Sequence, residues 1–257
     1  MSDRATEQPH RVAVEGLRHS YGELEVLRDI NLHAETGEFV TLLGPSGSGK
    51  STLFSIMTGA QVPVSGQVLV DGLPLVGHGK DFAFMPQQDE LLPWRRVLDN
   101  LTLGLEIQGM RRSQARERVR PLLSTFGLAG FEKAYPFQLS GGMRQRASLL
   151  RTVVQDRSVL LLDEPFGALD ALTRAEMQRW LERMWEEFRW TVLLITHDVR
   201  EAVFLSDRIY VMSQRPGTVV STIAVPLPRP RTMAMVADPV FARIEADLLA
   251  ILLEGSA

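Results

Sequence analysis

Cysteine is absent from the 257-residue sequence, which excludes disulfide bonds and thiolate metal sites and fits a reducing cytoplasm. No apolar run approaches the ~20 residues that a membrane-spanning helix needs. Residues 1–15 are polar and lack the apolar core of a signal peptide. The net charge is only −3, so bulk electrostatics do not indicate a nucleic-acid partner. We therefore expect a soluble protein that reaches any membrane through a partner.

Apolar residues make up 45% of the chain, which is enough to form a substantial core in one domain. Strand patterns alternate with helix patterns, which predicts an α/β fold with a mainly parallel sheet. Two antiparallel strands are expected within residues 11–33, around a Tyr21-Gly22 turn. The further strands are expected at 38–43, 66–70, 82–85, 159–162, 191–196 and 209–213. The helices are expected at 51–58, 97–107, 113–126, 141–155, 174–188, 199–205 and 239–253.

The segment from about residue 88 to 155 contains no strand pattern, and we interpret it as a helical insertion. After residue 225 comes a Pro/Arg stretch, followed by the terminal amphipathic helix. These last 30 or so residues are too few for a second regulatory domain. The sequence thus predicts one domain over residues 11–225, with a C-terminal extension over 226–257.

A glycine-rich segment between a predicted strand and a predicted helix matches the P-loop pattern. Its residues are Gly44, Pro45, Ser46, Gly47, Ser48, Gly49, Lys50 and Ser51, with Thr52 following in the helix. Glycines let successive N–H groups point at phosphate oxygens, and the helix adds its positive N-terminal end. Lys50 supplies charge to the β- and γ-phosphates, and the Ser51 hydroxyl is a Mg²⁺ ligand. The alternative is a chance Gly/Ser loop, but the strand–loop–helix context favours an ATP site.

Two acids, Asp163 and Glu164, end the buried strand predicted at 159–162. Acids rarely end an apolar strand without a partner, and ligands bind at the carboxyl ends of strands in open parallel sheets. We interpret Asp163 as a Mg²⁺ residue that acts through bound water, and Glu164 as the general base for an attacking water. The alternative for Asp163 is a helix N-cap in a strand-terminal turn.

A segment between the P-loop and these acids resembles the signature motif of ATP-binding cassette (ABC) ATPases. It reads Leu139-Ser140-Gly141-Gly142-Met143-Arg144-Gln145-Arg146. The other motifs of that family follow in family order, and the resemblance covers residues 11 to 225. It implies a P-loop ATPase core with an N-terminal antiparallel β subdomain and a helical insertion.

The resemblance assigns roles within the ATP site. It implies that Tyr21 stacks on adenine, that Gln87 touches Mg²⁺ and links the core to the insertion, and that His197 contacts the γ-phosphate. Alone, each has a plainer interpretation: Tyr21 as a half-buried strand aromatic, His197 as a capped surface histidine, Gln87 as a loop residue. The adjacent Gln88 leaves the choice of glutamine open.

The resemblance also implies that two copies of the chain share each ATP. Ser140, Gly141 and Gly142 open a helix, which makes them an anion site like the P-loop. In the family this site faces the P-loop of the other subunit, and Asp170 reaches across the dimer. The expected assembly is therefore a homodimer with Mg²⁺-ATP between its subunits.

Other segments resemble bacterial importers of the nitrate, sulfonate and taurine type or of pyrimidine vitamin precursors. Among them is the run Leu91-Leu92-Pro93-Trp94-Arg95-Arg96-Val97-Leu98-Asp99-Asn100. Such subunits lie peripherally on the cytoplasmic face of the cell membrane, bound to a permease, with an extracytoplasmic solute-binding protein as an indirect partner. We expect Leu91, Leu92 and Trp94 to form a docking surface for a permease helix, with core packing as the alternative.

Two other functions remain open from the sequence. The same catalytic motifs would serve the ATPase of an exporter or a cell-division complex. A non-transport cassette typically has a basic groove, long coiled coils or fused cassettes, and this sequence has none of them. The transported solute cannot be read from a subunit that never touches it.

Overall fold

The computed structural model describes residues 10–75 and 80–254. Its strands are β1 (Val12–Tyr21), β2 (Leu24–Ala34), β3 (Phe39–Leu43), β4 (Ser65–Val70), β5 (Leu73–Pro74), β6 (Phe82–Met85), β7 (Val159–Asp163), β8 (Thr191–Thr196), β9 (Arg208–Met212) and β10 (Val219–Ala224). Its α-helices are α1 (Lys50–Met57), α2 (Val97–Leu101), α3 (Leu103–Ile107), α4 (Arg112–Val119), α5 (Leu122–Thr125), α6 (Gly141–Val153), α7 (Ala171–Phe188), α8 (Val199–Leu205) and α9 (Pro239–Glu254). Short 3₁₀ turns lie at Pro136–Gln138 and Met233–Ala237.

Two sheets form the frame of the molecule, and together they confirm the α/β prediction. The first is antiparallel, in the order β2-β1-β4-β5, and its β1–β2 turn uses Gly22 at positive φ. The second has the order β10-β9-β3-β8-β7-β6 and is parallel except for β10. The central strands β3, β7 and β8 are buried along their whole length, which is why they read as unbroken apolar runs. Their carboxyl ends therefore lie side by side at one edge.

The insertion is helical, as predicted, although its helices are shorter than the sequence indicates. Residues 97–107 form two helices that meet at Thr102, whose hydroxyl donates to Glu106 Oε1 at 2.6 Å. Such side-chain bonds compete with the helical ladder. Residues 113–126 are divided near Pro121, which has no N–H to donate, and the next turn tightens with Leu123 N donating to Arg120 O.

The C-terminal extension packs against the cassette through two arginines. Arg231 is 4% exposed and donates to carbonyl oxygens at the end of α8, those of Val203, Phe204 and Ser206. Burial and the neighbouring Arg229 lower the pKa of Arg231 to about 10. Arg229 in turn pairs with the buried Glu182 and with Asp207. The Pro/Arg stretch is thus held by buried polar contacts.

The last helix adds an apolar contact to this anchoring. In α9, Phe241, Ile244 and Leu248 are buried, and the helix packs against α8. The edge strand β10 precedes the Pro/Arg stretch and was not expected from the sequence. Over the two described ranges, no helix is both long enough and apolar enough to cross a bilayer.

Candidate functional site

The P-loop curls around the amine of Lys50 between β3 and α1. Lys50 Nζ donates to the carbonyl oxygens of Gly44 and Pro45, both at 2.8 Å, and to Ser48 Oγ at 3.3 Å. Gly49 has a φ of 95°, and a Cβ there would lie 2.6 Å from Leu27 Cδ2, so only glycine fits. Burial lowers the pKa of Lys50, although the nearby acids Glu164 and Asp163 oppose the shift. The loop therefore presents a partly desolvated cation.

Asp163 and Glu164 follow each other at the carboxyl end of β7 but have different surroundings. Asp163 is the last residue of the strand and 8% exposed, and burial raises its pKa against the opposing effects of the Ser51 hydroxyl and Lys50. It caps no helix, so the N-cap alternative is wrong. Glu164 Oε2 lies 3.2 Å from both Gln87 Nε2 and His197 Nδ1. A carboxylate held between an amide and an imidazole at a cleft can accept a proton from water.

Lys50, Gln87 and Glu164 line a cavity of about 340 Å³. The side chains and backbone that line it are Tyr21, Leu24, Val26, Ser46, Gly47, Gly49, Lys50, Ser51, Thr52, Gln87, Glu164 and Arg215. Tyr21 ends β1 and is 47% exposed, and its ring lies edge-on to that of His19, at 4.9 Å between centroids. An aromatic face beside a P-loop can stack on a base. Gln87 lines both this cleft and the neighbouring groove, whereas Gln88 lines the groove and not the cleft.

The signature residues lie elsewhere on the chain. Ser140 is the N-cap of α6, and its Oγ accepts from Met143 N at 3.2 Å. Gly141 lines a second groove, of about 700 Å³, with Gln88 and the 167–169 segment. Asp170 is exposed and caps α7 by accepting from Thr173 N at 3.1 Å. Among the described residues, neither residues 139–146 nor Asp170 line the cleft of the same chain's Lys50.

The switch segment follows β8 at the same sheet edge. His197 is more than half exposed at the edge of the cleft, facing Glu164. Asp198 is the N-cap of α8 and accepts from Glu201 N at 3.1 Å. Behind it, Glu201 is buried, and burial together with Asp198 raises its pKa to about 8. His197 is thus an exposed histidine, as its plainer interpretation has it, and its Nδ1 faces the Glu164 carboxylate.

A family model described as ABC transporter matches residues 27–167 of this chain. The chain belongs to the ABC transporter family. It is 40% identical over 237 residues to the nitrate import ATP-binding protein NrtD of Synechocystis sp., an alignment that covers 90% of this chain and 89% of the relative. It is 43% identical over 238 residues to the aliphatic sulfonates import ATP-binding protein SsuB 3 of Pseudomonas savastanoi pv. phaseolicola, covering 93% and 84% respectively.

Solved structures agree with this family membership. The dimeric structure of the bacterial ABC transporter cassette MJ0796 is 30% identical, with a TM-score of 0.72, and covers 84% of this chain and all of the cassette. The same values hold for that cassette in a post-hydrolysis state bound to ADP and Pi. The present chain is thus an ABC-type ATPase subunit that binds and hydrolyses ATP.

Two features of this ABC ATPase differ from what the sequence indicates. Leu91 is buried at 7% exposure and belongs to the core, so it does not share an exposed apolar cluster with Trp94, which is 73% exposed. The core-packing alternative to a docking role is therefore wrong for Trp94 and correct for Leu91. Arg215 lines the same cleft as Lys50 although no motif marks it, because the β9–β10 loop reaches the cleft through tertiary pairing.

Proposed function

We propose that this ABC ATPase drives import of a small solute through a separate permease, by ATP-dependent closure of a homodimer on the cytoplasmic face of the cell membrane. The relatives named for nitrate import and aliphatic sulfonate import support an importer. A nitrate-like, sulfonate-like or taurine-like solute fits that group, and a pyrimidine vitamin precursor is the other candidate. A solute-binding protein outside the membrane would act on this subunit only through the permease.

Within one chain, the cleft residues divide into binding and hydrolysis. Tyr21 stacks on adenine, and the backbone of residues 44–52 with Lys50 holds the phosphates. Ser51, Asp163 and Gln87 offer the hard oxygen donors that suit Mg²⁺, and the Ser51–Asp163 contact supports this fit. When bound, Mg²⁺ would neutralise charge on the phosphates.

Hydrolysis is assigned to the residues around Glu164. Its carboxylate takes the proton of the attacking water. His197 and Gln87, each 3.2 Å from Glu164 Oε2, hold the carboxylate and the water in place. In this proposal His197 also contacts the γ-phosphate. General-base assistance of this kind is worth ~10²–10⁴-fold in rate.

The homodimer is inferred mainly from the separation, on one chain, between the P-loop and the start of α6. Ser140, Gly141 and Gly142 begin a 13-residue helix, yet they lie outside the cleft that holds Lys50. A second copy could bring this helix start to the γ-phosphate, with Asp170 at the same interface. The dimeric relative supports such an arrangement.

A mixed dimer tests this assignment. A differently tagged Lys50→Ala chain and Ser140→Arg chain are co-expressed, and the heterodimer is isolated through both tags. If the site is shared, the heterodimer has one intact site and one doubly damaged site, so ATPase activity recovers partially over either homodimer. Loss of the Ser140 cap costs ~1 kcal/mol, so the melting temperature of each chain is the control. No recovery in a confirmed heterodimer of folded chains contradicts the shared site.

A further inference from the structure

Arg215 is a second cation in the ATP cleft, on a wall formed by none of the recognised motifs. It belongs to the loop between β9 and β10, and its Nε donates to the carbonyl oxygen of Gly47 at 3.3 Å. The cleft that it lines also contains Tyr21, Lys50 and Thr52. Lys50 is held by Gly44 and Pro45, so the two cations contact different parts of the P-loop.

The loop that carries Arg215 is fixed against both the antiparallel sheet and the P-loop. Gly217 N donates to Val26 O at 2.8 Å, and Arg28 N donates to Gly217 O at 2.9 Å. A Cβ on Gly217 would lie 2.0 Å from the carbonyl oxygen of Ser48, so the loop backbone touches the P-loop directly. The position of the Arg215 backbone is therefore determined by the same elements that form the cleft.

Among the residues that the structure describes, the Arg215 guanidinium has few partners. Arginine carries five N–H donors, and the structure records one hydrogen bond for Arg215, to Gly47. Within residues 10–75 and 80–254, no carboxylate forms an ion pair with it. A planar cation with free donors at the mouth of a phosphate-binding loop matches the geometry of phosphate oxygens, which arginine binds with two parallel hydrogen bonds.

We propose that Arg215 is a nucleotide-binding residue that contacts the non-transferred phosphates, α and β, of the bound nucleotide. It lies against Gly47, whereas the hydrolytic residues Gln87 and His197 contact Glu164. This inference rests on the proposed assignment of the cleft to ATP. Because ATP and ADP share the α- and β-phosphates, Arg215 strengthens the binding of both.

Binding measurements on the full-length chain test the proposal. Dissociation constants for Mg²⁺-ATP, Mg²⁺-ADP and adenosine are measured by calorimetry for the wild type, Arg215→Gln and Arg215→Lys. A charge-assisted hydrogen bond at a partly exposed site predicts a rise of about tenfold in both nucleotide dissociation constants for Arg215→Gln. The ratio of the dissociation constants for Mg²⁺-ATP and Mg²⁺-ADP should stay unchanged, and so should the dissociation constant for adenosine. Arg215→Lys should recover part of the lost nucleotide affinity.

The matched control is Arg179→Gln, an exposed arginine on α7, which removes the same charge away from the cleft. It should leave all three constants unchanged. The alternative role for Arg215 is to hold the P-loop through the Gly47 carbonyl. In that case Arg215→Gln lowers the melting temperature of the nucleotide-free chain together with its affinity for both nucleotides, and this combined result overturns the proposal, whereas direct phosphate contact predicts the loss of affinity at an unchanged melting temperature. An equal loss for adenosine overturns it as well, since the contact would then be to base or ribose.

A Lys50→Ala variant separates this proposal from the assignment of the cleft. If the wild type binds Mg²⁺-ATP and Lys50→Ala does not, the cleft is the ATP site, and an unchanged Arg215→Gln affinity refutes only the role of Arg215. If Lys50→Ala binds as the wild type does, the assignment of the cleft itself is wrong.

Discussion

Replacing Trp94 by alanine separates the chemistry of the cleft from its coupling to a permease. The backbone around Trp94 is fixed, because Leu92 N donates to Asn100 Oδ1 at 2.7 Å and Arg95 N donates to Leu92 O at 3.0 Å. The indole ring nevertheless projects into solvent, with 73% of the residue surface exposed. An ordered backbone that presents a large exposed aromatic side chain is typical of an interaction site.

The exposure determines how much stability the substitution costs. About a quarter of a surface of roughly 250 Å² is covered, which at ~25 cal/mol per Å² amounts to ~1.5 kcal/mol at most. A buried tryptophan would cost ~3–5 kcal/mol. As an anchor in a permease groove, the same side chain would contribute ~2 kcal/mol or more to association. The variant should therefore be nearly as stable as the wild type yet bind the permease more than about tenfold less tightly.

Four measurements on Trp94→Ala decide the matter: the thermal midpoint of the isolated subunit, its affinity for Mg²⁺-ATP, capture of the permease in detergent, and solute-stimulated ATPase activity of the assembled transporter. We expect the first two to change little, while permease capture and solute-stimulated ATPase activity fall. Leu91→Ala is the matched control, because Leu91 is buried and its loss should lower the midpoint. A stable Trp94→Ala subunit that captures the permease normally would refute the docking role, and a large fall in its midpoint would refute the burial argument.

Two further predictions concern acids near the cleft. Glu164→Gln should retain ATP binding, trap an ATP-bound dimer and lower the hydrolysis rate by ~10²–10⁴-fold, and near-normal turnover in the purified variant would exclude Glu164 as the base. Burial raises the pKa of Glu201 from 4.5 to about 8. The neutral carboxyl group therefore contributes to the free energy of unfolding fully below pH 4.5. This contribution is lost as the pH rises to 8, at up to ~1.4 kcal/mol per pH unit. Glu201→Gln should flatten that dependence, and parallel melting-temperature profiles of the two proteins from pH 5 to 9 would contradict the titration.

Much of the fold could be predicted where the residue pattern of a short segment is enough to identify a strand or a helix. Strands β6 and β8 and helix α8 begin and end where the sequence indicates. For β8 the reason is burial on both faces, which makes the strand an unbroken apolar run. The P-loop and the adjacent acids were predictable for a related reason. Their chemistry needs particular residues at fixed spacing, and Lys50, Asp163 and Glu164 lie together at the sheet edge as expected.

The features that sequence reasoning missed depend on contacts between distant segments. Strand β10 pairs only with β9 at an edge, and its residues alternate between partial and full exposure, so no apolar run marks it. Arg215 reaches the cleft because Gly217 pairs with β2, nearly 200 residues earlier in the chain. The different burial of Leu91 and Trp94, three residues apart, follows from packing that neither side chain's apolar character reveals.

The anchoring of the C-terminal extension has a practical consequence for fragments of this protein. Arg229 is the recorded ion-pair partner of Glu182, which is 1% exposed, and Arg231 satisfies three carbonyl oxygens behind the switch segment. A fragment cut after residue 225 would leave that buried carboxyl group without its ion-pair partner, and several carbonyl oxygens without donors. Chimeras that exchange cassettes between transporters should therefore place their junction beyond α9, and carry the whole extension with the catalytic core.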